Sequence, residues 1–288
     1  MGSVSIFREM VALPELSILV RDTRTEGKAI LCLHGRWGRG ETWVDFMLRY
    51  GDRYRVIAPD LRGHGLSGKP ATGYSGAEMA EDMLGLLDHL GLESAIVVGH
   101  SMGGHVAACL AASHAERVDA VAILDKSAAG PARAQEGGLR PGVAGDPVTG
   151  HWPLPFATLQ AAREYVRKEM ESDLSYEYFM NSLSETAEGY GMLFSREAVA
   201  ENIARYEDWF DLLPNLDCPV LLMRSTGSGA VPDGDFARMR SLLPDCMACE
   251  IAHPDHNVHL ADKAAFHACF DSFLAGLGRG RTGEKGTT

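Results

Sequence analysis

Residues Ala95–Gly104 read AIVVGHSMGG, and the fold is decided by how that run changes character at its midpoint. Ala95, Ile96, Val97 and Val98 are apolar and mostly β-branched, which suits a buried strand. Gly99, Ser101 and Gly103 then form G-x-S-x-G, and Gly104-His105-Val106-Ala107-Ala108-Cys109-Leu110-Ala111-Ala112 continues as a helix. A sharp strand-to-helix turn with small residues on both sides lifts a serine hydroxyl clear of its own backbone. Glycines are needed because the turn brings neighbouring main chain too close for a Cβ. The same five residues also occur as an ordinary small-residue turn. The strand before them and the helix after them mark Ser101 as a candidate nucleophile.

Outward from this turn the chain alternates strands and helices. Ala29–Leu33 is a short apolar run ended by His34-Gly35-Arg36-Trp37-Gly38-Arg39-Gly40, and Arg55–Ala58 is ended by Pro59-Asp60-Leu61-Arg62-Gly63-His64-Gly65-Leu66-Ser67. Ala77–Leu90 carries Met79, Ala80, Met83, Leu86, Leu87 and Leu90 at helical spacing, with Gly91 as the stop. Ala120–Leu124, Pro219–Met223 and Met247–Ala252 read as further strands, Ala261–Leu277 as a helix, and Met10–Val20 as a half-exposed edge strand. Such alternation predicts a parallel sheet with helices on both faces. The site is then expected beyond the carboxyl ends of the strands.

Lys126 to Pro214 breaks the rhythm. Ala128–Pro155 is rich in Gly and Pro and reads as loop, while Thr158–Leu183 and Arg196–Leu213 read as helices. The expected organisation is a core over 1–126, a helical cap over 127–213, a second core segment over 214–277 and a disordered tail over 278–288. Helices that merely cover a sheet face are the alternative to a cap.

The formal net charge of −12 argues against nucleic acid or an anionic membrane as partner, since phosphate binding rests on clustered Lys and Arg. No run approaches the ~20 apolar residues of a membrane span. Arg8, Glu9, Glu15 and Arg21 leave no apolar core for a signal peptide, so the expected compartment is the cytoplasm. Cys32, Cys109 and Cys218 lie in or beside apolar segments, and Cys246-Met-Ala-Cys249 is a lone C-x-x-C without a second pair. A small-molecule substrate and no cofactor are expected, with the oligomeric state open.

A serine needs a base, and the base an orienting carboxylate. Among eleven histidines, His34, His64 and His105 sit in glycine-rich turns, His89, His114 and His267 fall in helices, and His100 directly precedes Ser101. The remaining cluster is His253-Pro254-Asp255-His256-Asn257-Val258-His259, after the last strand. Its i, i+3, i+6 spacing hints at metal. Pro254 disfavours the helix such a set would need, and no acidic pair completes it, so no metal is expected.

His34-Gly35-Arg36-Trp37-Gly38, Asp60-Leu61-Arg62-Gly63-His64-Gly65, Gly99-His100-Ser101-Met102-Gly103-Gly104 and the late histidine loop together resemble the capped, cofactor-free α/β-hydrolases, over nearly all of Met10–Leu277. The resemblance implies an α/β fold with a mostly parallel eight-stranded sheet, helices on both faces and an inserted helical cap. In that family the late loop commonly reads G-x-x-H-x-V, which implies His256 as the base, with His253 and His259 as runners-up. The acid departs from the commoner pattern. Ser228 falls where the family usually carries Asp, and Asp233 and Asp235 come later, at an expected helix start where acids often cap. Asp125 is the better candidate, at the end of the strand expected beside Ser101 and 24 positions after it. A minority of the family places the acid there, including zearalenone lactone hydrolases, some haloalkane dehalogenases and (acetamidomethylene)succinate hydrolases.

Backbone N–H groups of Met102 and Arg36 are the expected oxyanion hole. The Arg36 side chain either favours a carboxylate-bearing substrate or is exposed and paired with Glu41 or Asp45. A serine at the elbow excludes the carboxylate-nucleophile mechanism of haloalkane dehalogenases and epoxide hydrolases. The implied reaction is cleavage of a small ester or lactone through an acyl-enzyme. An amidase acting on an acylated enamine, a C–C hydrolase and a catalytically silent ligand receptor are the alternatives. Trp37, Trp152, Arg163, Tyr190 and Trp209 are candidate pocket residues.

Overall fold

Short apolar runs separated by amphipathic helices leave the chain one economical solution, a sheet buried on both faces. The computed structural model describes residues 3–130 and 145–279. Its main sheet comprises β1 (Phe7–Ala12), β2 (Ser17–Asp22), β3 (Ala29–Leu33), β4 (Arg55–Pro59), β5 (Ala95–His100), β6 (Val118–Leu124), β9 (Val220–Ser225) and β10 (Cys246–Ile251). The strand order is β1-β2-β4-β3-β5-β6-β9-β10, eight strands in all. Pairing is antiparallel at β1/β2 and β2/β4 and parallel from β4 onward. β5 therefore lies centrally, between β3 and β6, and its carboxyl end faces two loops that carry polar residues.

Each face has its own core. On one, α2 (Gly76–His89) and α3 (Met102–Ser113) bury Met79, Met83, Leu86, Val106 and Leu110 against Leu31, Val97 and Ile123. On the other, α1 (Val44–Tyr50) and the C-terminal helix pack Phe46, Tyr50, Phe266 and Phe270 against Ile30, Val98 and Ala122. Burying one such side chain is worth about 1.5–3 kcal/mol, so both layers are needed to hold the strands level. α2 begins with a capping box, in which Ser75 and Glu78 satisfy each other's backbone N–H.

Several sequence expectations are corrected. Met10–Val20 is not one strand. The chain turns between Leu13 and Leu16, joined by a 2.8 Å backbone bond, and Pro14 within that turn cannot donate to a ladder. The expected helix over Thr158–Leu183 is two, α4 (Leu159–Glu169) and α5 (Asp173–Met180), because Ser172 caps a new start. A hairpin of β7 (Leu183–Thr186) and β8 (Gly189–Met192) follows, too short and glycine-rich to carry a strand signal. The expected helix over Arg196–Leu213 ends early, as α6 (Arg196–Ala204), and a 3₁₀ segment spans Phe210–Asn215.

Downstream lie α7 (Asp233–Leu242), a single turn α8 (Val258–Ala261) and α9 (Lys263–Arg279). Gly278 and Arg279 thus belong to a helix, and the rest of the expected tail, with residues 131–144 of the expected Ala128–Pro155 loop, lies outside the described residues. The segment between β6 and β9 has an aromatic core of its own, including Trp152, Phe156, Tyr178, Phe179 and Phe194. Cys249 of the C-x-x-C pairs with Cys269 of α9 as a disulfide, while Cys246 is a free thiol. Among the described residues no helix is long and apolar enough to cross a membrane.

Candidate active site

The elbow at Ser101 is forced by sterics on both sides. A Cβ on Gly99 would lie 2.1 Å from the Gly103 carbonyl oxygen, and one on Gly103 would lie 2.3 Å from that of Leu33. Ser101 itself has φ 51° and ψ −118°, a conformation that costs a non-glycine residue roughly 1–3 kcal/mol. The surrounding fold holds it there, since Ser101 N–H donates to Leu124 O at 2.9 Å and α3 starts immediately after. Among the described residues the Ser101 hydroxyl makes no hydrogen bond.

Asp125 stands at the end of β6, beside the elbow, fully buried and also at positive φ (47°). Its Oδ1 accepts from Ser225 N–H at 2.9 Å. Its Oδ2 accepts from Ser228 Oγ at 2.8 Å and lies 2.8 Å from His256 Nδ1. A carboxylate on Nδ1 fixes the tautomer, with the proton on Nδ1 and Nε2 left as an acceptor. The His256 side chain keeps 38% exposure, so its free edge is open to a substrate. Asp125 and His256 are brought together across 131 positions of sequence.

The other candidates are engaged elsewhere. Asp233 is exposed and pairs with Arg224 at 2.7 Å. Asp235 accepts from Ser127 Oγ at 2.7 Å. His253 Nδ1 accepts from Asp255 N–H at 3.0 Å. His259 is stacked on Trp43 with ring centroids 4.4 Å apart, and burial pushes its pKa down to about 3. His253, His256 and His259 thus do not converge, and among the described residues no group of three or more His, Cys, Asp or Glu could hold a metal ion.

His100, next to the nucleophile, has a supporting position. It is buried, and its Nε2 donates to the His256 carbonyl at 2.9 Å. The two imidazoles lie 4.7 Å apart. Burial holds the His100 pKa well below its ordinary value, with the His256 and His259 charges acting in the same direction.

The loop after β3 lies against the elbow, since a Cβ on Gly103 would also come 2.8 Å from His34 O. Met102 opens α3, where the first N–H groups have no acceptor within the helix. The loop carrying Arg36 is clamped by the segment between β6 and β9. Tyr178 Oη donates to Arg36 O at 3.0 Å, Ser182 Oγ to Trp37 O at 2.6 Å, and Trp37 Nε1 to Asp146 at 3.0 Å. Gly38 is required here, because a Cβ would come 2.2 Å from Tyr178 Oη. The expected pairing of Arg36 with Glu41 or Asp45 is not made. Glu41 binds Arg21 at 3.0 Å and Asp45 binds Lys263, while Arg36 Nε donates to Asn202 Oδ1 at 2.7 Å. Tyr178, Ser182 and Asn202 went unread in the sequence, since nothing local announces partners 142 to 166 positions away.

The aromatic pocket candidates divide. Trp152 packs inside the aromatic core, and Trp209 is buried with its ring stacked 5.2 Å from that of His105. Arg163 and Tyr190 line a cleft of about 420 Å³ that Ser101 and His256 do not border. Trp37 is half-buried against Phe179, with ring centroids 5.8 Å apart.

The alpha/beta hydrolase fold family model matches residues 28–263. A 115-residue segment is 36% identical to 2-(acetamidomethylene)succinate hydrolase of Mesorhizobium japonicum, and the match spans 40% of this chain and 41% of that relative, less than half of either. In three dimensions the chain is similar to E-2-(acetamidomethylene)succinate hydrolase, with TM-score 0.78 and 24% identity over 94% of this chain and all of that one (100%). It is also similar to the enol-lactonase of Burkholderia xenovorans LB400, with TM-score 0.73 and 20% identity over 93% of this chain and 100% of that one. At these identities the structural likeness is one of fold. The family match covers most of the chain, which therefore belongs to the alpha/beta hydrolase fold family.

Proposed function

We propose that the chain is a serine hydrolase that cleaves a small ester or lactone through an acyl-enzyme. Ser101 Oγ attacks the carbonyl carbon and its proton passes to His256 Nε2. Asp125 keeps the imidazole in the required tautomer and stabilises the imidazolium as it forms. The N–H groups of Arg36 and Met102 receive the oxyanion, each worth about 10²–10³ in rate in such holes. His256 then protonates the leaving oxygen, and a water deprotonated by His256 releases the acyl group from Ser101. The bond from Ser101 to His256 closes as substrate arrives, since catalytic hydrogen bonds are often long before binding.

The observation that carries this reading is the 2.8 Å contact between Asp125 and His256 on the rim that also holds Ser101. Residues 127–213 act as a cap in this reading, and the substrate is a small molecule handled in the cytoplasm. A fluorophosphonate probe tests it. A covalent adduct on Ser101, abolished in Ser101→Ala, is expected; an unlabelled Ser101 in folded protein would overturn it.

A second reading, hydrolysis of the amide bond of an acylated enamine, has one specific support. The 36%-identical relative is a hydrolase of 2-(acetamidomethylene)succinate. The same triad serves both bonds, so comparing turnover of matched ester and anilide substrates separates the readings.

A further inference from the structure

The Lys126 and Arg36 side chains approach one aromatic ring, and among the described residues neither hydrogen-bonds to a carboxylate. Lys126 directly follows Asp125, and its Cβ lies 3.4 Å from where a Cβ on Gly104 would sit, so it abuts the first turn of α3. Its Nζ is 3.8 Å from the centroid of the Tyr206 ring, and among the described residues it makes no hydrogen bond or ion pair. The Arg36 guanidinium lies 5.7 Å from the centroid of the same ring and donates to the neutral Asn202. Asp146 acts on Arg36 from a distance, but its oxygens are taken by the N–H groups of Val148 and Thr149 and by Trp37 Nε1. Tyr206 Oη is committed too, donating to Ser127 O at 2.8 Å and accepting from Trp209 Nε1 at 3.1 Å. His105, edge-on to Tyr206 with centroids 5.4 Å apart, brings no negative charge.

Bringing two like charges together in a half-buried corner is unfavourable unless an opposite charge repays it. The chain has 39 acidic residues against 27 Lys and Arg, yet among the described residues none pairs with Lys126. Burial, and then the Arg36 charge, hold the Lys126 pKa well below its ordinary value, and an anion seated beside the two groups would favour their charged forms. Arg36 also carries one expected oxyanion N–H, and Lys126 directly follows the expected acid.

We propose that Lys126 and Arg36 form a subsite for a substrate carboxylate, so that the substrate is an ester, lactone or amide bearing a free carboxylate away from the scissile bond. The part concerning the scissile bond rests on the serine-hydrolase reading; the anion subsite does not.

The test compares kcat/KM for two pairs of esters. In one pair, 4-nitrophenyl hydrogen glutarate and its methyl ester, the carboxylate is on the acyl arm. In the other, the butyrate esters of 4-hydroxybenzoate and of its methyl ester, it is on the leaving arm. We expect a preference of about ten-fold or more for the acid in one pair, lost in Lys126→Gln and recovered in Lys126→Arg, as expected when one partner of a desolvated charge pair is removed. No preference in either pair, or a preference unchanged in Lys126→Gln, overturns the subsite. If no ester turns over, calorimetry with glutarate decides. Binding weakened about ten-fold or more in Lys126→Gln supports the subsite, and no binding, or equal binding, overturns it. Fluorophosphonate labelling separates the two failures. A labelled Ser101 without carboxylate preference leaves the hydrolase reading standing, whereas Lys126-dependent glutarate binding with Ser101 unlabelled removes the hydrolase and keeps the subsite.

Discussion

Ser228 Oγ donates to Asp125 Oδ2 at 2.8 Å, the same oxygen that lies 2.8 Å from His256 Nδ1. Ser228, where the resemblance places an acid, therefore hydrogen-bonds the carboxyl group proposed for that role one strand inward. The carboxyl group is buried and held by Ser225 N–H, Ser228 Oγ and His256, which leaves it little freedom to rotate away from the imidazole. Ser228→Ala removes one donor and should lower kcat by about ten-fold, the value of one hydrogen bond to a charged group. Ser228→Asp should lower it further, because two carboxylates sharing one imidazole repel each other and one takes up a proton. Steady-state kinetics on one ester check both; a Ser228→Asp enzyme faster than the parent would show that the acid belongs at 228.

His100 acts through His256. Its Nε2 holds the His256 carbonyl at 2.9 Å while its ring packs against the His256 ring. His100→Ala should lower kcat about ten-fold with little change in KM, by freeing the loop that carries the proposed base. His100→Asn, which retains a donor, should recover part of the loss. A change confined to KM would contradict this role.

Tyr178→Phe tests the clamp on the expected oxyanion loop. It removes the 3.0 Å bond to Arg36 O and leaves the packing of the ring. A fall in kcat of about five-fold, with the melting temperature nearly unchanged, is expected from the loss of about 1 kcal/mol in a positioning contact. An unchanged kcat would mean that the loop is held without it.

Buried histidines set the acid limit of the fold. Burial is the largest influence on each, and it pushes His34 down to about 4 and His64, His105 and His259 to about 3, from an ordinary 6.5. The unfolded chain takes up these protons as pH falls through 6.5, and the folded chain refuses them until near its own lower values. Stability is therefore full above pH 6.5 and is lost progressively below it, by at most about 1.4 kcal/mol per histidine per pH unit. Urea unfolding at pH 7.5, 6.5 and 5.5 should give a somewhat lower midpoint at 6.5, where the unfolded histidines are half protonated, and a much lower one at 5.5. A midpoint independent of pH down to 5.5 would contradict the account.

The central sheet was legible because β3, β5 and β6 are short continuous apolar runs, each followed by a glycine-bearing or polar loop. The same periodicity failed in the insertion. There the hairpin of β7 and β8 is only four residues per strand, and Ser172 restarts a helix within one apolar pattern. At the site, the positions of Ser101 and His256 follow from local motifs, whereas the contacts of Arg36 with Asn202 and of Lys126 with Tyr206 depend on how the insertion settles on the strand ends. No local spacing encodes that docking. Asp125 stands between the two cases, since its strand was readable but its partnership with Ser228 was not.

The most direct test of the proposed mechanism is single-site replacement of the acid. Asp125→Asn keeps the size of the side chain and removes the charge that orients His256, and kcat on a 4-nitrophenyl ester should fall by roughly 10⁴, while Asp233→Asn should stay within about two-fold as expected for an exposed surface residue. Folded Asp125→Asn protein that retains its activity, or an Asp233→Asn protein that loses it, would contradict the assignment of Asp125 as the acid.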